Sequence, residues 1–134
     1  MFMKVLCIQN TIDDNLASKV GLADGEPKLY RSITLGTEYV VLGMSYDPSS
    51  TCYANHPVVE VKNDGGGLSS IPLFMFDVVD NAASKHWLLK YSENGLLTLF
   101  PESFYKDFYH DDLSEGIPEI EDDFRKVCEL LENE

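Results

Sequence analysis

Apolar and polar positions follow two rhythms along this chain. Met3 to Ile8 is a short apolar run closed by Gln9 and Asn10, the pattern of a buried strand over residues 3–9. Residues 11–30 are polar and turn-rich, with Asp13-Asp14-Asn15 and Asp24-Gly25-Glu26-Pro27, and only Leu16 to Val20 has the spacing of a helical turn. Gly36 punctuates the stretch that begins at Ile33. Tyr39 to Tyr46 is rich in strand-favouring residues, which predicts a strand over 38–46, ended by Asp47-Pro48-Ser49-Ser50.

The middle of the chain repeats itself. Val58-Val59-Glu60-Val61-Lys62 runs into Asn63-Asp64-Gly65-Gly66-Gly67, then Leu68 to Pro72 and an aromatic stretch to Phe76. Twenty-nine residues on, Trp87 to Tyr91 runs into Ser92-Glu93-Asn94-Gly95, then Leu96 to Pro101, with Phe104 and Tyr105 following. Each copy reads strand, glycine-containing turn, strand, proline, aromatic cluster. Asp64-Gly65 and Asn94-Gly95 tolerate the positive φ that hairpin turns need, and proline stops the ladder because it has no N–H to donate. Two copies are too few for a solenoid and predict two hairpins of one curled antiparallel sheet, with strands over 57–62, 68–71, 86–91 and 96–100.

The period then changes. Ile120, Phe124, Val127 and Leu131 recur at i, i+4, i+7 and i+11, one apolar stripe. Pro118 suits a first helical position, and Glu119, Glu121, Asp122 and Asp123 sit where the helix dipole favours acids. An amphipathic helix over 118–132, held on the sheet by that stripe, completes a single α+β, mainly β domain spanning residues 1–134.

Composition narrows the class. The hydrophobic fraction of 44% with seven Phe and seven Tyr supports a core without disulfides. No run reaches the roughly 18 apolar residues of a membrane span. The first residues are apolar for too short a stretch to read as a secretory signal. Cys7, Cys52 and Cys128 are odd in number and widely spaced, the usage of reduced thiols, so a cytoplasmic setting is expected. The net charge of −13 repels nucleic acid and attracts basic partners. From Asp111 to Glu134 ten acids face only Arg125 and Lys126, so −8 of that charge lies in the final segment.

Candidate chemistry is sparse. Cys52-x-x-x-His56 is half of a zinc site, with His86, His110 and the other cysteines scattered, so no metal or other cofactor is expected. The triple glycine after Asn63-Asp64 lacks the Lys-Ser/Thr of a phosphate loop. His110-Asp111-Asp112, with Ser103 or Ser114 nearby, permits a hydrolytic reading, but no Gly-x-Ser-x-Gly elbow accompanies it. A groove containing His110 with a shifted proton affinity would favour that reading, and a solvent-facing ring would remove it. Phe74, Phe76, Trp87, Phe100, Phe104, Tyr105, Phe108 and Tyr109 are expected mostly in the core, leaving one or two exposed tyrosines near the acids as interface anchors.

The order of these segments has a resemblance. Ile33-Thr-Leu-Gly-Thr-Glu-Tyr-Val-Val-Leu-Gly, then Pro72-Leu-Phe-Met-Phe-Asp-Val-Val-Asp80, Ser84-Lys-His-Trp87, Phe100-Pro-Glu-Ser-Phe104 and His110-Asp-Asp-Leu-Ser-Glu-Gly together resemble a group of small uncharacterised bacterial proteins. These have the flavour of an SH3-like partial barrel and occur among immunity proteins of polymorphic toxin and contact-dependent growth inhibition systems. The resemblance implies a non-catalytic inhibitor of a cognate toxin, its partner being a basic nuclease. Tyr105, Tyr109, Asp111, Asp112, Glu115, Glu119, Asp122 and Asp123 are the expected contact residues. An acidic nucleic-acid mimic or adaptor from a phage or mobile element is the alternative, and a small hydrolase using His110 with Asp111 or Asp112 is the third.

Overall fold

The β-forming run from Glu38 to Tyr46 is the strand on which the rest of the molecule is assembled. The computed structural model describes residues 2–22, 28–49 and 56–134. In chain order they form β1 (Lys4–Cys7), β2 (Thr11–Ile12), α1 (Asp14–Val20), β3 (Lys28–Leu29), β4 (Glu38–Tyr46), β5 (Val58–Lys62) and β6 (Leu68–Pro72). Then come β7 (Phe76–Asp80), β8 (Trp87–Tyr91), β9 (Leu97–Pro101), α2 (Tyr109–Ser114) and α3 (Pro118–Glu132).

One edge of β4 pairs with β5, and its other edge is shared. β1 takes the first part, with Lys4 opposite Val40, and β9 takes the last part, with Met44 opposite Leu99. Outside these lie β6 on β5, β7 on β1 and β8 on β9, every pairing antiparallel. The sheet therefore forks into two wings and stays open, without closing into a barrel. β2 and β3 form a separate two-stranded ribbon.

The repeat read in the sequence is structural. Both hairpins, β5–β6 and β8–β9, end on a proline, Pro72 and Pro101, each followed by a 3-10 turn, Leu73–Met75 and Glu102–Tyr105. Proline's fixed φ, −58° at both positions, turns the chain out of the ladder in the same way twice. The hairpins flank β4 on opposite edges.

The central strands of the sheet are covered on both faces. A bulge in β4 puts Val41 opposite Val61 and Gly43 opposite Glu60, leaving Leu42 as the extra residue. Val5, Cys7, Val41, Val59, Val61 and Ile71 pack on the α1 side. Leu42, Phe104, Tyr109, Phe124, Val127, Cys128 and Leu131 pack on the other side, beneath α2 and α3. Phe100 crosses β4 at Gly43, where a Cβ would stand 2.5 Å from its ring. Trp87 touches both clusters and donates its indole N–H to the Leu42 carbonyl at 2.9 Å.

The expected strands and the helix over 118–132 are present. Four elements were not anticipated. β7 completes the β1 wing where only an aromatic stretch was read, and β2 with β3 occupies the turn-rich segment. The segment between the last predicted strand and the last helix contains α2. The lone helical turn at Leu16–Val20 is the end of α1, capped by the Asp13 carboxylate on the Leu16 N–H at 2.8 Å and by Gly21 in the left-handed region.

Candidate functional site

The corner between α2 and α3 is built by local backbone chemistry. Phe108 has φ +62°, the only non-glycine residue among those described with positive φ, and its carbonyl starts α2 by accepting the Asp112 N–H at 2.8 Å. The helix ends in a Schellman motif. Ile117 N–H bonds the Asp112 carbonyl at 3.0 Å, Gly116 N–H bonds Leu113 at 3.1 Å, and Gly116 itself is left-handed. Pro118 then opens α3, whose first turn donates back to the Ile117 carbonyl from the Ile120 and Glu121 N–H groups.

Helical spacing divides α2 into two faces. Tyr109, His110 and Leu113 point inward, while Asp111, Asp112 and Glu115 share the outer face, with Asp112 half-buried. From Asp107 to Glu121 there are six carboxylates and no lysine or arginine. None of the six is in a salt bridge among the described residues. Phe108, the residue before α2, has 73% of its surface exposed, and Ile117, just past the end of α2, is exposed as well.

The expected contact residues separate into four groups. Asp111, Asp112, Glu115 and Glu119 stand on or beside the outer face. Asp122 is engaged by Arg125 and by Lys126 at 3.1 Å, which holds its carboxyl below the usual range. Tyr109 is only 1% exposed and cannot serve as an interface anchor. Its hydroxyl donates to Asp123 at 2.9 Å, tying α2 to α3, and burial, with the Asp123 carboxylate next, pushes its pKa up. Tyr105 is half-buried, its hydroxyl 2.8 Å from Thr98 Oγ1 and 2.7 Å from the Leu88 carbonyl, its ring under the Lys90 ammonium. The exposed aromatic beside the acids is therefore Phe108, which no local pattern distinguished from its neighbours.

On the inner face His110 meets a residue fifty positions away. Its Nε2 lies 3.0 Å from both carboxylate oxygens of Glu60, which β5 projects toward the helices and which is 6% exposed. The hydrogen bond to Glu60 raises the proton affinity of the ring, outweighing its burial, and Asp111 adds a smaller push. Phe104 and Phe100 pack on the imidazole at centroid distances of 5.4 and 6.0 Å. The carboxylate partner of His110 is thus Glu60, in place of the Asp111 or Asp112 that adjacency suggested.

His110 also lines a groove of about 710 Å³. The β5–β6 hairpin, from Lys62 to Ser70, forms one wall, and α2 and α3 form the other with Leu113, Phe124, Arg125 and Cys128. The Cys128 thiol is pushed up to about 11 by burial, which keeps it neutral and unreactive. The triple glycine is a hairpin turn without free donors: Gly65 and Gly67 N–H both bond the Asn63 side-chain oxygen at 3.0 Å, and Gly66 N–H bonds the Asn63 carbonyl. Cys7 and Cys128 are buried free thiols, and Cys52 lies outside the described residues. His56 bonds the Val20 carbonyl at 2.7 Å. Among the described residues no three His, Cys, Asp or Glu side chains converge as a metal site requires, and no helix is long and apolar enough to cross a membrane.

Comparison with protein-family models, with curated proteins and with solved structures found no match to this chain.

Proposed function

We propose that this chain is a non-catalytic binding protein of the immunity type, a cytoplasmic domain that neutralises a cognate basic toxin at the outer face of α2. The observation that carries this reading is Phe108, an exposed aromatic on a strained backbone, at the start of a helix whose outer acids, Asp111, Asp112 and Glu115, are in no salt bridge among the described residues. An L-residue in the left-handed region costs about 1–2 kcal/mol, and such outliers gather at binding and switch sites. An aromatic anchor ringed by one sign of charge suits a partner with lysines and arginines around an apolar pocket. A nuclease, whose cleft is basic because its substrate is anionic, is the partner with that surface. The small, open, antiparallel sheet is compatible with the SH3-like proteins that the segment order resembles.

Co-expression with a toxin encoded beside the gene tests the proposal. Growth should be rescued and the two proteins should co-purify, and Phe108→Ala combined with Asp111→Lys should abolish both effects while the far-UV spectrum stays unchanged. No rescue and no complex would refute it.

A second reading, a small hydrolase, draws on His110 in its groove beside Glu60. Ser70 and Ser114 line the same groove, yet the imidazole's hydrogen bond goes to Glu60, and a raised proton affinity makes the ring a poorer base at neutral pH. Hydrolysis of p-nitrophenyl acetate that disappears in His110→Gln would favour this reading over the binding one.

A further inference from the structure

Three glycines in a row are more than the β5–β6 turn requires. Gly66 has φ +80°, which an L side chain resists. Gly65 and Gly67 lie outside the left-handed region, and a Cβ at either would meet only the Asn63 side chain, at 3.5 Å or more. Neither backbone geometry nor packing demands glycine at these two positions. Both line the groove, so their effect is to keep side chains out of its mouth.

The groove's charge opposes that of the molecule. The chain carries −13, yet Lys62 and Arg125 line this groove from opposite walls, with His110 between the same walls and Glu121 as the one lining acid. Lys62 is paired with Glu132 at 3.3 Å and Arg125 with Asp122, but neither acid lines the groove. Both pairs are partly open to solvent, where such bonds are worth at most about 1 kcal/mol, so either cation can turn to a bound anion. Leu68, Leu113 and Phe124 supply the apolar surface between them. Small-molecule sites combine these properties: several hundred Å³, apolar walls and a few convergent polar groups.

We propose that the groove between the glycine-rich hairpin and the α2–α3 corner binds a small anionic aromatic molecule. Its ring body lies on Leu68, Leu113 and Phe124, and its carboxylate, sulfonate or phosphate lies between Lys62 and Arg125. The hairpin amides play no part in holding the anion, because Asn63 already occupies those of all three glycines. This site is separate from the outer face of α2 and stands or falls independently of the toxin-binding proposal.

The probe is 8-anilinonaphthalene-1-sulfonate, with its uncharged relative N-phenyl-1-naphthylamine as the charge control. The sulfonate should bind the folded protein saturably at one site, shifting the amide resonances of Gly65, Gly67 and Leu113. Lys62→Gln, at a half-buried position, and Arg125→Gln, at an exposed one, should each weaken it about tenfold, the loss expected for one charge-assisted hydrogen bond. The uncharged relative should bind more weakly and ignore both substitutions, and Lys106→Gln, a cation outside the groove, should change nothing. Gly67→Val should block the mouth and abolish binding. Absence of saturable binding, or binding lost in Leu89→Lys on the exposed β8 strand and retained in the groove variants, would overturn the proposal.

Discussion

Replacing His110 with alanine strips the Glu60 carboxylate of its hydrogen-bond partner while α2 and α3 still cover it. Breaking a fully buried ion pair from one side costs about 3–5 kcal/mol, and an exposed pair is worth less than about 1 kcal/mol. This pair lies between those limits, because the Glu60 side chain is 8% exposed and that of His110 is 38% exposed. The estimate is therefore about 2–3 kcal/mol, in line with a hydrogen bond to a charged group. The sign of the pH dependence follows from the direction of the shift. Glu60 raises the folded-state pKa of His110 above its ordinary 6.5. The contribution is then fully present below pH 6.5 and is lost as pH rises through the folded value, with a slope of at most about 1.4 kcal/mol per pH unit. Burial holds the Cys128 thiol at about 11 and pushes the Tyr109 hydroxyl up, both away from the interval from about pH 6 to 8.5, and the difference between wild type and His110→Gln over that interval isolates this histidine. Urea unfolding of the wild type, His110→Gln, Glu60→Gln and the double variant across that interval measures the coupling as a cycle. Glutamine keeps a donor but does not titrate, so His110→Gln should flatten the curve. A wild-type stability that is flat over this range, or a His110→Gln curve of the same slope, would refute the reasoning.

Other residues give equally direct expectations. Phe108→Gly should raise thermal stability by up to about 1 kcal/mol, since it relieves a left-handed L-residue, and should weaken toxin binding at the same time. Gly43→Ala should cost about 1–3 kcal/mol in urea unfolding, because the new methyl meets the Phe100 ring at 2.5 Å and the Leu99 carbonyl at 3.1 Å. Leu131→Ala should cost about 2–5 kcal/mol, and Leu130→Ala, one residue away and half exposed, under about 0.5 kcal/mol. Asp64 accepts hydroxyls from Tyr39 at 2.6 Å and Thr34 at 2.7 Å, which hold its pKa below 3.8. Its contribution is present above pH 3.8 and lost as pH falls through the folded value, so Tyr39→Phe should shallow the acid limb of the unfolding profile.

Legibility in the sequence tracked the range of the interaction. The strand over 38–46, the two hairpins and the helix from Pro118 are each specified by neighbours: β-branched and aromatic runs, glycine turns, a proline at the first helical position, a stripe at i, i+4, i+7. β7 was missed because its exposed Asp77, Val78 and Val79 carry no clean alternation, and it exists as a strand through its pairing with β1. α2 was missed because six residues hold too few apolar positions to set a period, and its inner face acquires meaning only against Phe104 and Phe124.

The same division applies to function. The sequence alone determined that the protein is acidic, that the acids concentrate after residue 110, and that a sheet of hairpins ends in an amphipathic helix. Composition and period are local properties, readable in one dimension. The tertiary structure decided which groups those acids and aromatics meet. Alternation put Glu60 on the face opposite Val59 and Val61, but only the helices packed there made it a buried partner for His110. Tyr109 and Phe108 are adjacent and chemically alike, yet a single left-handed backbone position turns one into the core and the other into solvent. Long-range burial separates neighbours that composition treats as equals, which is why the charge was legible from the chain and the surroundings of each side chain were not.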